Sequence, residues 1–188
     1  MKIIGVTNRK LCDDFYQRIR EIAKENKIDY LVLREKDLIE EELEIMAARI
    51  KGILKDSKIK LIINSNVKIA DNINAYGVQL SYKDYIEGKS KGYDKVVGVS
   101  VHSLDEAINA EKLGASYILY GHVFETDCKK DLKPRGLDEL KNICEKLNIN
   151  VFAIGGINKE NYLEVLKVGT AGVAIMSSLM QKSNDSLA

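Results

Sequence analysis

A chain of 188 residues, 45% apolar and 30% charged, is long enough for one domain with a substantial core and too short for two comfortable ones. Its 29 lysines and arginines balance 28 aspartates and glutamates, and the net charge of +1 excludes a general binder of nucleic acid or acidic membrane. Three cysteines, Cys12, Cys128 and Cys144, are odd in number and lack C-x-x-C spacing, which argues against a disulfide framework and a structural zinc site. The opening M-K-I-I-G-V-T is too short in apolar residues for a signal peptide and no run approaches a membrane span, so a reducing cytoplasm is the expected setting.

Strand and helix signals alternate to the end of the chain. Ile3 to Thr7 reads as a buried strand, and a helix from about Asp13 to Asn26 follows with Phe15, Ile19, Ile22 and Ala23 on one face. Tyr30 to Leu33 is a second strand, ending in Arg34-Glu35-Lys36, and Glu40 to Leu54 is a second helix. Lys60 to Ile63 is a third strand, ending in Asn64-Ser65-Asn66, with a short helix through Val67, Ile69 and Ala70. Gly77 to Leu80 is a fourth, and the glycine-containing charged tract Glu87 to Asp94 reads as loop. Val96 to Val99 is a fifth, ending at Ser100, and Ser103-Leu104-Asp105-Glu106 forms a capping box that makes His102 the approach to a helix. After the sixth strand, Tyr117 to Tyr120, come a helix at Leu137 to Leu147, a strand at Asn150 to Ile154 and a helix at Asn158 to Lys167. The eighth strand is Ala171 to Ile175, and a short helical tail follows Met176-Ser177-Ser178.

Eight strand signals, each followed by a helical segment or a short tail, predict a (β/α)₈ TIM barrel over residues 1–188 as a single α/β domain, with an open doubly wound sheet as the runner-up. A barrel gathers the strand C-termini on one face, and these ends are polar or glycine: Arg34 and Lys36, Asn64 and Ser65, Gln79 and Ser81, Ser100, His122, Gly155 and Gly156, and Ser177. The stretch Ser116 to Gly136 is the richest. It delivers His122, one of two histidines, at a strand end and then runs through Thr126, Lys129, Lys130 and Arg135, all suited to an anionic ligand or a flap over it. The plainer reading is a surface loop with a solvated charge run. Ile154-Gly155-Gly156-Ile157 and Ile175-Met176-Ser177-Ser178 form a candidate phosphate site, because barrels commonly bind phosphate with loops seven and eight. Glycines there would let main-chain N–H groups approach the anion.

L-R-E-K at 33 to 36, G-V-Q-L at 77 to 80, G-V-S-V-H-S at 98 to 103, A-I-G-G-I at 153 to 157 and G-V-A-I-M-S at 172 to 177 together resemble the thiamine phosphate synthase/TenI superfamily, over essentially the whole chain. Within it, G-H-V-F-E-T-D-C-K-K at 121 to 130, with Arg135-Gly136, is similar to the TenI branch of thiazole tautomerases. The resemblance implies a phosphorylated thiazole ligand held by Gly155, Gly156, Met176 and Ser177. A synthase typically carries Q-x-R-x-K, an N-D pair, a later aspartate and T-x-T-K. Here Val32 replaces the glutamine, Ser65 the aspartate and Cys128 the second threonine, while Arg34, Lys36, Asn64, Asp84, Thr126 and Lys129 match. A magnesium diphosphate site needs hard carboxylate oxygens, so the change at Ser65 favours the tautomerase; Asp37 and Asp71 are near in sequence but off the motif.

The implied reaction aromatises a 2-carboxy-4-methylthiazole phosphate. An exocyclic carbon gains a proton, ring carbon two loses one, and neither metal nor other cofactor is required. His122 is the expected acid and base. Arg34, Lys36, Asn64, Ser100, Thr126 and Lys129 are the expected substrate contacts, and Cys128 is read as a neutral loop thiol. The alternatives are a thiamine-phosphate synthase, joining a pyrimidine diphosphate to a thiazole phosphate, and a non-catalytic regulator that binds a thiazole or thiamine phosphate. The expected partner is a small molecule, with neither nucleic acid nor membrane, and a homo-oligomer stays open.

Overall fold

The computed structural model describes residues 1–126, 132–182 and 186–188. Eight parallel strands run in chain order around a closed barrel: β1 (Lys2–Val6), β2 (Tyr30–Leu33), β3 (Lys60–Asn64), β4 (Gly77–Ser81), β5 (Val96–Val101), β6 (Tyr117–Gly121), β7 (Asn150–Ile154) and β8 (Gly172–Ile175). β8 pairs with β1 in the register Lys2↔Gly172 to Gly5↔Ile175, which rules out the open sheet. Between the strands lie α1 (Phe15–Glu25), α2 (Glu40–Leu54), α3 (Val67–Asn72), α4 (Tyr82–Ile86), α5 (Leu104–Lys112), α6 (Gly136–Lys146) and α7 (Tyr162–Lys167), and α8 (Ser177–Met180) follows β8. No helix among the described residues is long and apolar enough to cross a membrane.

Alternation along each strand creates two cores, because successive side chains leave the sheet on opposite faces. Ile4, Val6, Val32, Ile62, Leu119, Phe152 and Ala174 fill the barrel. Residues one step out of phase, such as Leu31, Ile63, Val99 and Ile118, meet Ile19, Ile22, Ala47, Ile50 and Ala107 of the helices. Burial on both faces explains why the strands read as unbroken apolar runs.

The departures from the sequence reading are local. The turn of α4 stood unmarked, since five residues are too few to show a period; the Ser81 side chain caps it by accepting from the Asp84 N–H at 3.1 Å. α7 starts at Tyr162 rather than Asn158. Asn158 Oδ1 accepts from the N–H groups of Glu160 and Asn161, while Asn161 Oδ1 accepts from that of Asn158, so the two asparagines fold residues 158–161 into a turn. Only half of the expected capping box forms on α5. Ser103 Oγ accepts from Glu106 N–H at 3.2 Å, but the Glu106 carboxylate accepts from His102 N–H at 2.7 Å instead of from Ser103.

α8 has four residues, and a buried arginine ties it to the barrel. Arg18, on α1, is 5% exposed; its Nε donates to the Leu179 carbonyl at 2.9 Å, and its guanidinium pairs with Glu21 at 3.0 Å and Glu25 at 3.5 Å. The Arg18→Ala variant loses these bonds and leaves the Leu179 carbonyl to the backbone N–H groups that follow it. It is expected to lose roughly 2 kcal/mol. Urea denaturation measures this as a lower midpoint at constant slope, and an unchanged midpoint contradicts the latch.

Candidate functional site

The strand C-termini open into a cavity of about 1310 Å³. Arg34, Lys36, Asn64, Ser100, His122, Thr126, Gly155, Gly156, Met176 and Ser177, all named from the sequence, line it. Lys129 lies outside the described residues, as do Cys128 and Lys130. Cys12 and Cys144 are free and absent from the cavity wall, and burial pushes the Cys144 thiol up to about 11. Among the described residues the charged lining is Arg34, Lys36 and Lys133 against Glu125, a balance that suits an anionic ligand.

Two loops are sewn together on one side of this mouth. Val123 N–H donates to the Ile154 carbonyl and Phe124 N–H to that of Gly155, each at 3.0 Å. Arg135 N–H donates to the His122 carbonyl at 3.0 Å and Gly136 N–H to that of Val123 at 3.1 Å. Arg135 therefore acts through its main chain here, and it is not part of the lining. This sewing also changes the reason for the paired glycines. Gly155 and Gly156 have φ of 104° and 66°, a left-handed backbone, and a Cβ on Gly155 would strike His122 while one on Gly156 would strike the Glu125 carbonyl. Close approach of the loop after β6 by itself demands glycine at both places.

His122 is 4% exposed. Its Nε2 lies 3.1 Å from the Leu132 carbonyl, which only accepts, so Nε2 carries the proton; Nδ1 is enclosed without a hydrogen-bond partner among the described residues. His102 also reaches the mouth. Its Nδ1 donates to the Gly121 carbonyl at 2.7 Å, so the two histidines flank the end of β6. From the sequence His102 stood out chiefly as the approach to α5.

A second cluster was missed because its members looked like a strand end and a charged tripeptide. Thr7, fully buried, donates to Glu35 Oε1 at 2.7 Å and accepts from the Arg34 N–H at 3.0 Å. Glu35 also accepts from the Arg9 N–H at 3.0 Å, and the Arg9 guanidinium pairs with Glu35 at 3.2 Å and Asp37 at 2.5 Å. The 34–37 segment is thereby bolted to the end of β1, which holds Arg34 and Lys36 at the rim. Threonine at a strand C-terminus followed by Glu between two cations was the available signal.

A magnesium diphosphate site would need carboxylate oxygens at the ends of β3 and β4. Asn64 Nδ2 donates to Ser65 Oγ at 2.8 Å, and a serine hydroxyl supplies no charge. Ser81 Oγ donates to Asp84 at 2.7 Å, and Lys89 forms a short ion pair with the same carboxylate. Asp84 is not part of the cavity lining; Asp37 pairs with Arg9 and Lys10, and Asp71 with Lys95. Among the described residues no three His, Cys, Asp or Glu side chains gather for a metal. Among the described residues the donor set does not fit a magnesium diphosphate site.

The Lys89 ammonium, with the Ser81 hydroxyl second, holds the Asp84 carboxyl below its ordinary range. A carboxyl depressed in the folded state stabilises the protein above its unfolded value of about 4, and this contribution is lost as pH falls through the folded pKa. The Lys89→Met variant should show an Asp84 pKa raised toward the ordinary value by carboxyl-carbon NMR. Its stability deficit against the parent should shrink as the solution is acidified below about pH 4. An unmoved Asp84 titration contradicts the pairing.

Comparison with known proteins places these features in context. A family model described as thiamine monophosphate synthase (TMP-TENI) matches residues 3–179. A protein named thiamine-phosphate synthase from Clostridium acetobutylicum is 38% identical over 191 aligned positions, covering 98% of this chain and 90% of the relative. One of the same name from Clostridium novyi is 40% identical, over 81% of this chain and 76% of the relative. The structure of a thiamine phosphate pyrophosphorylase from Pyrococcus furiosus superposes with a TM-score of 0.86 at 34% identity, covering 98% of this chain and 89% of that one. The relatives' names favour the synthase, the alternative in the sequence reading, over the tautomerase, and the family model does not separate the two.

Proposed function

The chain belongs to the thiamine monophosphate synthase (TMP-TENI) family, and we propose that it serves thiamine biosynthesis by binding a thiazole phosphate in the barrel mouth and aromatising it by proton transfer. The observation that carries the tautomerase over the synthase is the state of the carboxylates. Ser65 stands where a charged ligand is needed, and Asp84 is held by Lys89 and Ser81. A reaction that expels pyrophosphate requires that charge to be neutralised, whereas tautomerisation leaves the phosphate intact and moves only protons. The synthase remains the second reading because the relatives at 38% and 40% identity bear that name.

In the proposed reaction the phosphate sits against the loops of Gly156 and Ser177, both of which line the mouth. The ring carboxylate faces Arg34, Asn64 and Ser100. Ring carbon two gives its proton to the His122 imidazole, and the imidazolium returns a proton to the exocyclic carbon. The electron pair released at carbon two enters the ring as the exocyclic double bond becomes a single bond to a CH2 group that still carries the phosphate arm, so no electrons enter or leave.

Purified protein mixed with the unaromatised thiazole phosphate should produce the absorbance of the aromatic isomer, and EDTA should not slow it. His122→Asn keeps a polar group of similar size but removes the ring nitrogen that would carry the proton, and the rate should fall by roughly 10²- to 10⁴-fold while affinity for the aromatic product changes little. Turnover by this variant at the parental rate would make the histidine structural and favour the regulator.

A further inference from the structure

Beneath the mouth, a chain of three side chains crosses the inner wall of the barrel. Tyr117 Oη lies 2.5 Å from Gln79 Oε1, and Gln79 Nε2 lies 2.9 Å from Ser100 Oγ, at the floor of the cavity. Such a chain runs in one of two directions, since an amide can turn over and exchange its donor and acceptor ends. Burial decides. Tyr117 is 7% exposed and Gln79 2% exposed, and the carbonyl end of Gln79 is the one hydrogen-bond partner of the Tyr117 hydroxyl among the described residues. The reverse direction would strand the phenolic proton in the barrel without an acceptor, at the cost of an unmade buried hydrogen bond. Burial also holds the phenol above its ordinary pKa, so it keeps its proton at neutral pH. Tyr117 therefore donates to Gln79, Gln79 donates to Ser100, and the Ser100 proton is left to point elsewhere. Within the described residues Ser100 Oγ has no other partner, and it is the only member of the chain that is not buried.

We infer that Tyr117 and Gln79 are positioning residues that set Ser100 as a hydrogen-bond donor into the mouth, where it selects ligands bearing an acceptor such as a ring carboxylate. The barrel is built around this chain. Gly98 on β5 lies opposite Gln79 on β4 and Tyr117 on β6, and a Cβ there would overlap the Tyr117 ring and the Gln79 carbonyl. The phenol ring stands edge-on to Phe152 at 5.5 Å between centroids, a contact that survives loss of the hydroxyl. The assignment rests on the thiazole phosphate reading and adds the direction of the hydrogen bond.

Calorimetry with two ligands tests it: the aromatic 2-carboxy thiazole phosphate and the same thiazole phosphate without the carboxylate. Ser100→Ala removes the donor. In Tyr117→Phe the Gln79 carbonyl loses its donor, so the amide is no longer held in one direction, and in its turned-over form it accepts the Ser100 proton and withdraws it from the mouth. Each variant should bind the carboxylated ligand roughly tenfold more weakly and the uncarboxylated one within about twofold of the parent. The double variant should be no weaker than Ser100→Ala alone, because the two changes act on one proton. Equal losses for both ligands, additive losses in the double variant, or no loss in Tyr117→Phe overturn the relay while leaving the thiazole phosphate reading intact. A parent that binds neither ligand overturns that reading and the relay together.

Discussion

Closure of the sheet between β1 and β8 is the constraint on which the other features depend. Pairing runs from Lys2↔Gly172 to Gly5↔Ile175, and the Lys2 N–H extends it by donating to the Ala171 carbonyl at 3.1 Å. The strands come so close that a Cβ on Gly172 would overlap the Lys2 main chain. A closed parallel barrel has no open edge and points every strand the same way, so eight C-termini converge on one face. The inner residues fill the cylinder below that face and leave the mouth open above it. The short α8 completes the ring because Arg18 anchors it, not because it has the length of a stable helix.

Closure also explains how much of the site could be read without coordinates. Once eight strands were recognised, their ends named the lining, and the ten candidates within the described residues all reach one cavity. Legibility ended where the determinant was a contact between distant segments. Thr7 and Glu35 stand 28 positions apart and share a buried hydrogen bond that no periodicity encodes. Gln79 was visible as a polar strand end, but its place between Tyr117 and Ser100 depends on the register of β4, β5 and β6. A further reason for Gly155 and Gly156 was hidden for the same cause. Their neighbours are His122 and Glu125, brought there by the pairing of two loops. Among the elements, α2 and β7 matched their predicted bounds, whereas α4 and the start of α7 are set by side-chain turns too short for a hydrophobic pattern.

The relatives' names and the residues of the mouth pull in different directions, and the physical chemistry shows where they diverge. Both reactions need a thiazole phosphate in the barrel, so a shared fold, shared basic residues and shared glycine loops are expected of either. They differ in the charge that must be handled. A diphosphate leaving group calls for a divalent ion on carboxylates, and here one position is Ser65 while Asp84 is neutralised by Lys89. A proton shift calls for a titrating group with a defined tautomer, which the Leu132 carbonyl gives to His122. The bolt through Glu35 and the relay through Gln79 fix charged and donating groups at opposite sides of the same opening, an arrangement suited to orienting a small anionic ring.

The account is tested most directly by giving the protein both chemistries side by side. One mixture holds the pyrimidine diphosphate, the aromatic thiazole phosphate and excess magnesium; the other holds the unaromatised thiazole phosphate and EDTA. Chromatography of the products should show the aromatic thiazole phosphate accumulating in the second mixture and negligible thiamine phosphate in the first, with Ser65→Asp as the variant in which synthase activity emerges. Robust thiamine phosphate formation by the parent protein, with no aromatisation in the presence of EDTA, would contradict the account.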